Sequence, residues 1–157
     1  MTSAEYIVGL ADGEGCFYVH VRPQRPHTSK PRVDTHFYIK LHEDDRPLLE
    51  EIKRDLGCGA VYRQIETRSN HSQCYRYEVN AQRDIHNVVI PFFEKHPLRS
   101  RKRKDFVLFR EIALMVRQGH HKTPAGLRHI QALKSAMNHG ARRVREIRTL
   151  GGNAAQP

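Results

Sequence analysis

Residues Tyr6 to Phe17 read Y-I-V-G-L-A-D-G-E-G-C-F, a helical pattern that stops in glycines and acids and runs straight into a strand. Ordinary packing explains this stretch least well, and the rest of the chain reads as support for it. Thr2 and Glu5 have the spacing of a capping box, and Tyr6, Ile7, Leu10 and Ala11 recur with helical period. Gly9 and Gly13 lie one turn apart on one face, leaving a groove without side chains where a second backbone can approach. Such a small-residue seam usually meets another helix.

Asp12 and Glu14 fall beside the partial negative charge of the last helical carbonyls, a place that normally favours Lys or Arg. Two acids there cost energy unless a cation compensates them. A hard divalent ion bound by carboxylate and carbonyl oxygens, with water and phosphate completing its shell, would do so. A glycine-rich helix end with two solvated acids is the plainer reading, and these four residues alone favour it, because D-G-x-G turns are common punctuation.

Charge narrows the partners. The chain has 157 residues, with 27 Lys and Arg against 17 Asp and Glu, giving +10 and 11 His besides. This points to a polyanionic partner. The length suits one core, read as a single domain over residues 1–150 with a disordered tail at 151–157. Cys16, Cys58 and Cys74 are odd in number and widely spaced, which argues against a disulfide framework or zinc finger and for a reducing, intracellular home. No apolar run approaches the roughly 20 residues of a membrane span.

Two strands with strict alternation follow. Phe17, Val19 and Val21 turn inward, as do Phe37, Ile39 and Leu41, leaving Tyr18, His20, Arg22, His36, Tyr38, Lys40 and His42 outward. Between them lies a connection with Arg22, Arg25, Lys30 and Arg32, three prolines and no acid. A β-ribbon with such a face suits the major groove; a solvated basic hairpin is the alternative. Asp44 or Asp45 is expected to cap a scaffold helix with Pro47 in its first turn, Leu48, Leu49, Ile52 and Leu56 as its stripe and Gly57 at its end.

A third strand spans about Ala60 to Arg68, with Val61 and Ile65 inward, and a fourth about Gln73 to Asn80, with Tyr75, Tyr77 and Val79 inward. Gln64, Arg68, Arg76 and Asn80 face outward with the donors that read purine edges. A helix from about Gln82 to Val89 is expected to be cut by Pro91. His96-Pro97-Leu98-Arg99-Ser100-Arg101-Lys102-Arg103-Lys104 then opens a helix with Phe106, Phe109, Ile112, Ala113 and Val116 as its stripe. Clustered cations at a helix N-terminus oppose the macrodipole, so helix stability does not explain them, and phosphate is the obvious counter-charge. From Thr123 a last helix carries Leu127, Ile130, Leu133, Met137, Ala141 and Val144, with Arg142, Arg143, Arg145 and Arg148 adding charge.

Ile7-Val8-Gly9-Leu10-Ala11-Asp12-Gly13-Glu14-Gly15 resembles the LAGLIDADG signature of homing endonucleases, and a weaker likeness extends to about residue 118. The resemblance implies an α+β domain of order αββαββα, with a four-stranded antiparallel saddle sheet and an extra C-terminal helix. It implies that Glu14 and the Gly13 carbonyl hold a divalent metal, Mg²⁺ or a substitute, with Asp12 a structural cap. Lys102, with Arg101 the alternate, matches the catalytic lysine, and His42 and Arg46 fall where the family organises water at the scissile phosphate. One motif copy implies a homodimer packed through Gly9, Asp12 and Gly13. The resulting expectation is an intron-encoded, site-specific double-strand DNA endonuclease cutting a long pseudo-palindromic site. A maturase binding intron RNA, or a non-cleaving DNA-binding regulator, is the alternative on the same fold. The resemblance does not distinguish a bacterial cytoplasm from an organelle.

Overall fold

The computed structural model describes residues 1–22, 30–65 and 72–137. Helix α1 (Ala4–Glu14) leads into strands β1 (Gly15–Arg22) and β2 (Arg32–His42), then α2 (Arg46–Leu56), β3 (Ala60–Gln64) and β4 (Cys74–Val79). Helix α3 covers residues 82–95, and α4 (Lys102–Arg117) and α5 (Pro124–Met137) complete the described chain. The strands form one antiparallel sheet in the order β1-β2-β4-β3. This is the α+β order expected, with the helix after β4 followed by two more.

Alternation in the strands decides which face takes the helices. Phe17, Val19, Val33, Phe37, Ile39, Tyr77 and Val79 are buried on the inner face. Phe17 sits at the centre of the core, with ring centroids 5.1 Å from Phe37, 5.3 Å from Phe93, 5.4 Å from Phe106 and 5.2 Å from Phe109. Each such pair is worth about 0.5–1.5 kcal/mol beyond its buried area. The cluster ties β1, β2, α3 and α4 together three residues after Glu14. The base of α1 is therefore held beside this aromatic cluster.

Several local expectations are corrected. Helix α1 is capped by Ser3, whose hydroxyl accepts from the Tyr6 N–H at 3.1 Å, while Thr2 donates from its backbone to Asp55 on α2 at 2.6 Å. Thr2 and Glu5 make no capping box because Thr2 is spent on a tertiary contact. Val8 is buried with Ile7 and Ala11, and Tyr6 is exposed. Neither Asp44 nor Asp45 caps α2 with its side chain. A 3-10 turn at Glu43–Asp45 precedes it instead, and the His42 ring accepts from the Asp44 N–H. Gly57 ends α2 in the left-handed region, at φ 70°.

Pro91 does not cut its helix. The backbone widens into a π turn at Ile85–Val89, where the Ile90 N–H donates to the Ile85 carbonyl, and continues through Ile90–Lys95. A widened turn ahead of a proline accommodates the ring and its missing N–H. Ile65 is also misassigned: described β3 ends at Gln64, and Ile65 is 80% exposed. Arg25 and Arg68, along with Gly140, Ala141, Val144, the arginines from 142 to 148 and the tail at 151–157, lie outside the described residues.

Candidate active site and nucleic-acid interface

Two segments far apart in the chain meet at the C-terminal end of α1. Leu98, 1% exposed, pins the Pro97-Leu98 segment into the core. The next two residues donate their backbone N–H groups to Asp12, Arg99 to Oδ2 and Ser100 to Oδ1, each at 3.0 Å. Burial works against the charged form of Asp12, but those N–H groups, the Ser100 hydroxyl and nearby Lys102 outweigh it, holding the carboxyl below its ordinary range. The Ser100 hydroxyl also accepts from the Lys102 N–H at 3.2 Å, so the start of α4 is fixed at both turns.

Lys102 is thereby aimed back at α1. Its ammonium donates to the Gly13 carbonyl at 3.0 Å and to the Ala11 carbonyl at 3.2 Å. Burial pulls the ammonium below the usual lysine range, opposed by the neighbouring Cys16 sulfur and the Glu14 and Asp12 carboxylates. The cation that the two acids require at the end of this helix is thus one supplied by the start of another. It also explains a charge that opposes its own helix dipole: Lys102 serves the carbonyl end of α1. Arg101 is exposed and Glu14 lies exposed at the same end.

Gly15 makes this junction tight. A Cβ there would stand 2.7 Å from the Ala11 carbonyl oxygen and 2.9 Å from the Ala11 Cα. Gly15→Ala should therefore push β1 off α1 and cost about 1–3 kcal/mol, read as a lowered thermal midpoint. An unchanged midpoint would mean the junction yields.

His42 and Arg46 are not brought to this centre by any hydrogen bond or ion pair among the described residues. His42 lies three residues beyond Ile39, which pairs with Gly15, so it stands about 10 Å further along the strand. Its ring faces Asp44 at 3.2 Å, and Arg46 pairs with Glu50 at 3.7 Å and lies over the Tyr75 ring.

The outer face of the sheet carries the expected side chains. Tyr18, His20, Arg22 and Arg32 are exposed there, as are Lys30 ahead of β2 and Asn80 just after β4, and His36, Tyr38, Lys40, Gln64 and Arg76 are half-buried. Two acids set among them were given no role by the sequence reading. Asp34 holds Arg22 at 3.0 Å and Arg32 at 2.9 Å, and Glu78 takes His36 Nδ1 at 2.6 Å and the Tyr62 hydroxyl. Both follow from period-2 alternation, which puts Asp34 on the face of His36 and Glu78 on that of Arg76. Cys16 was likewise unassigned. It bonds the Tyr38 hydroxyl, and burial together with that bond raises the phenol well above its ordinary value.

With Asp12 taken by Arg99 and Ser100, the oxygen donors left at the α1 terminus are the Glu14 carboxylate and backbone carbonyls. Among the described residues no three His, Cys, Asp or Glu side chains gather into a metal site. The donor set suits a hard ion that takes one or two protein carboxylates and leaves positions for water and phosphate. Beside it, Gly9 and Gly13 face open space, with nothing within 4 Å of a Cβ built on either. A cavity of about 320 Å³ lies beside Gly9, lined by Val8, Gly9, Asp12, Pro97 and Arg99 among others. No helix among the described residues is long and apolar enough to cross a membrane.

Comparison with known proteins bears on the family and the fold. The chain is 30% identical over 135 residues to probable intron-encoded endonuclease 2 of Neurospora crassa, covering 86% of this chain and 29% of that protein. It is 32% identical over 104 residues to probable intron-encoded DNA endonuclease 1 of Mycosarcoma maydis, covering 66% of this chain and 34% of that one. The chain thus spans about a third or less of the curated relatives it matches. Among solved structures, the homing endonuclease I-TnaI superposes with a TM-score of 0.76 at 35% identity, over 93% of this chain and 98% of that chain. The meganuclease I-SmaMI, bound to uncleavable DNA, superposes with a TM-score of 0.78 at 28% identity, over 87% of this chain and 45% of that chain. A sequence model of the LAGLIDADG endonuclease matches residues 7–113, which contain Glu14, Lys102 and the whole sheet, and the chain belongs to that family.

Proposed function

We propose that two copies of this chain form a site-specific DNA endonuclease that hydrolyses one phosphodiester in each strand of a long pseudo-palindromic duplex, with Mg²⁺ as its ion. The observation that carries the reading is the Lys102 ammonium 3.0 Å from the Gly13 carbonyl, beside Glu14, where α1 meets a sheet faced with Tyr, His, Arg and Lys. Glu14 and the Gly13 carbonyl would hold the ion, which supplies Lewis-acid activation of water and of the leaving 3′-oxygen. Lys102 places its charge where negative charge grows on the phosphate, with Arg101 the outer cation of that segment. His42 and Arg46, at the end of β2 and the start of α2, are left to contact the duplex or its water.

One domain offers one such carboxylate, and a duplex has two strands to cut. The open face at Gly9 and Gly13 and the cavity beside it are where a second α1 would pack, with Asp12 behind it bracing the turn into α4. Twofold symmetry then asks for pseudo-palindromic half-sites. The outer faces of the two sheets read them: Tyr18, His20, Arg22, Arg32, His36, Tyr38, Lys40, Gln64, Arg76 and Asn80, together with Lys30 and Arg25 in the connection and Arg68 beyond β3. Phosphate contacts set the register, and affinity falls steeply with salt.

The test is a cleavage selection from a library of half-palindromic random duplexes, with Mg²⁺ or with a chelator. Cut, symmetric sites recovered only with Mg²⁺ support the reading. Duplexes enriched equally in both arms and never cut would make the chain a binding module on this fold. No duplex bound at all, but structured RNA retained, would make it an RNA-binding protein. The chelator should leave the protein folded and lower the melting temperature only slightly, since Lys102 already compensates the end of α1.

A further inference from the structure

On the outer face of the sheet, one arginine is held unlike the others. Arg22 and Arg32 are exposed and share Asp34. Arg76 lies over the Tyr38 ring, its guanidinium carbon 3.9 Å from the ring centre. Tyr38 is itself fixed through its hydroxyl by Cys16 on the neighbouring strand. On the other side, Arg76 approaches the Tyr62 hydroxyl, and its ion pair with Glu78 is long, at 3.9 Å. The Glu78 carboxylate is already taken by His36 and Tyr62. Arg76 is thus surrounded on three sides while few of its five donors are spent.

That combination is a poor way to stabilise a sheet. The Arg76 Nε is buried with no hydrogen-bond partner among the described residues, an arrangement that costs stability. It is a good way to present a guanidinium. A stacked, planar fork has lost its rotational freedom before it meets a ligand, so little is lost on binding. Bidentate contact of such a fork with O6 and N7 of guanine is the commonest specific contact in the major groove.

Register locates the base. Arg76 pairs with Lys40, one residue beyond Ile39, and Ile39 pairs with Gly15 next to Glu14. Arg76 therefore stands two strand spacings, about 10 Å, from the start of β1, on the part of the face nearest the reacting centre. From this geometry we infer that Arg76 is a specificity-determining residue that reads one guanine in the inner part of each half-site. Tyr38 and Glu78 act as its positioning residues. This rests on the endonuclease reading and adds to it a base, a place and the side chains that hold the reader.

The test compares the cut-site profiles of wild type, Arg76→Gln and Arg76→Lys from the half-palindromic library. Binding of the selected duplex is then measured against one with that symmetric guanine pair replaced by adenine. Wild type should favour guanine roughly five- to a hundredfold at one symmetric pair of inner positions. Arg76→Gln should lose that preference and move towards adenine, whose N6 and N7 suit an amide, while the other positions keep theirs. Arg76→Lys keeps the charge and should keep most of the affinity with a reduced guanine preference, which covers the case in which the Gln variant melts early. A Gln variant that still demands guanine overturns the assignment, as does one whose preferences fade evenly at every position. Wild type that cuts nothing instead overturns the endonuclease reading, and this assignment falls with it.

Discussion

Glu14→Gln is expected to lower cleavage of the selected duplex by at least about a thousandfold while leaving its binding within a few-fold. The amide keeps the size of the carboxylate but has no charge to hold a hard divalent ion. Such an ion is worth several kcal/mol of transition-state stabilisation, and each 1.4 kcal/mol is a factor of ten. Glu14 lies exposed at the end of α1, and no hydrogen bond or ion pair among the described residues depends on it, so the fold has little to lose. Single-turnover cleavage and equilibrium binding on the same duplex separate the two effects. A variant that binds but still cuts within tenfold of wild type would remove Glu14 from the chemistry.

The second large effect belongs to Lys102. Lys102→Met should slow cleavage about a hundred- to a thousandfold, the range for losing one preorganised donor at a charged transition state. It should also cost roughly 1 kcal/mol of stability, because the Ala11 and Gly13 carbonyls lose a donor at a partly exposed site. Lys102→Arg should restore the stability better than the rate, since a planar fork does not place its charge where a point ammonium does. Equal rescue of both would mean that charge alone matters there.

Acid should probe the brace behind that lysine. Asp12 is held below the ordinary carboxylate range, so its contribution to stability is complete above the unfolded value and is lost as pH falls through the lower folded one. It therefore supports the turn before α4 across the whole neutral range.

Much of this was legible because one face of each long strand is buried. Period 2 alone sorted Phe17, Val19, Phe37 and Ile39 from Tyr18, His20, His36 and Tyr38, and a slip of one residue would have exposed the core. Pro91 misled because proline carries a local signal, whereas the π turn that absorbs it depends on how α3 packs. Thr2 misled for the same kind of reason, since its spacing was right but Asp55 reached it first. The site itself was half legible. Two acids at a helix end and a run of cations with no helical purpose each posed a problem. Only the fold, joining Gly13 to Lys102 across 89 positions of chain, makes each the answer to the other.

The ammonium seated on the α1 carbonyls also separates two events in time. A protein that needs its metal in order to fold is committed to the reaction from the moment it is competent to bind DNA. Here the helix end is met by a side chain the protein always carries, so on the proposed reading the binding of DNA would not wait for the ion. Recognition would then be complete and still reversible, with cleavage waiting for the ion.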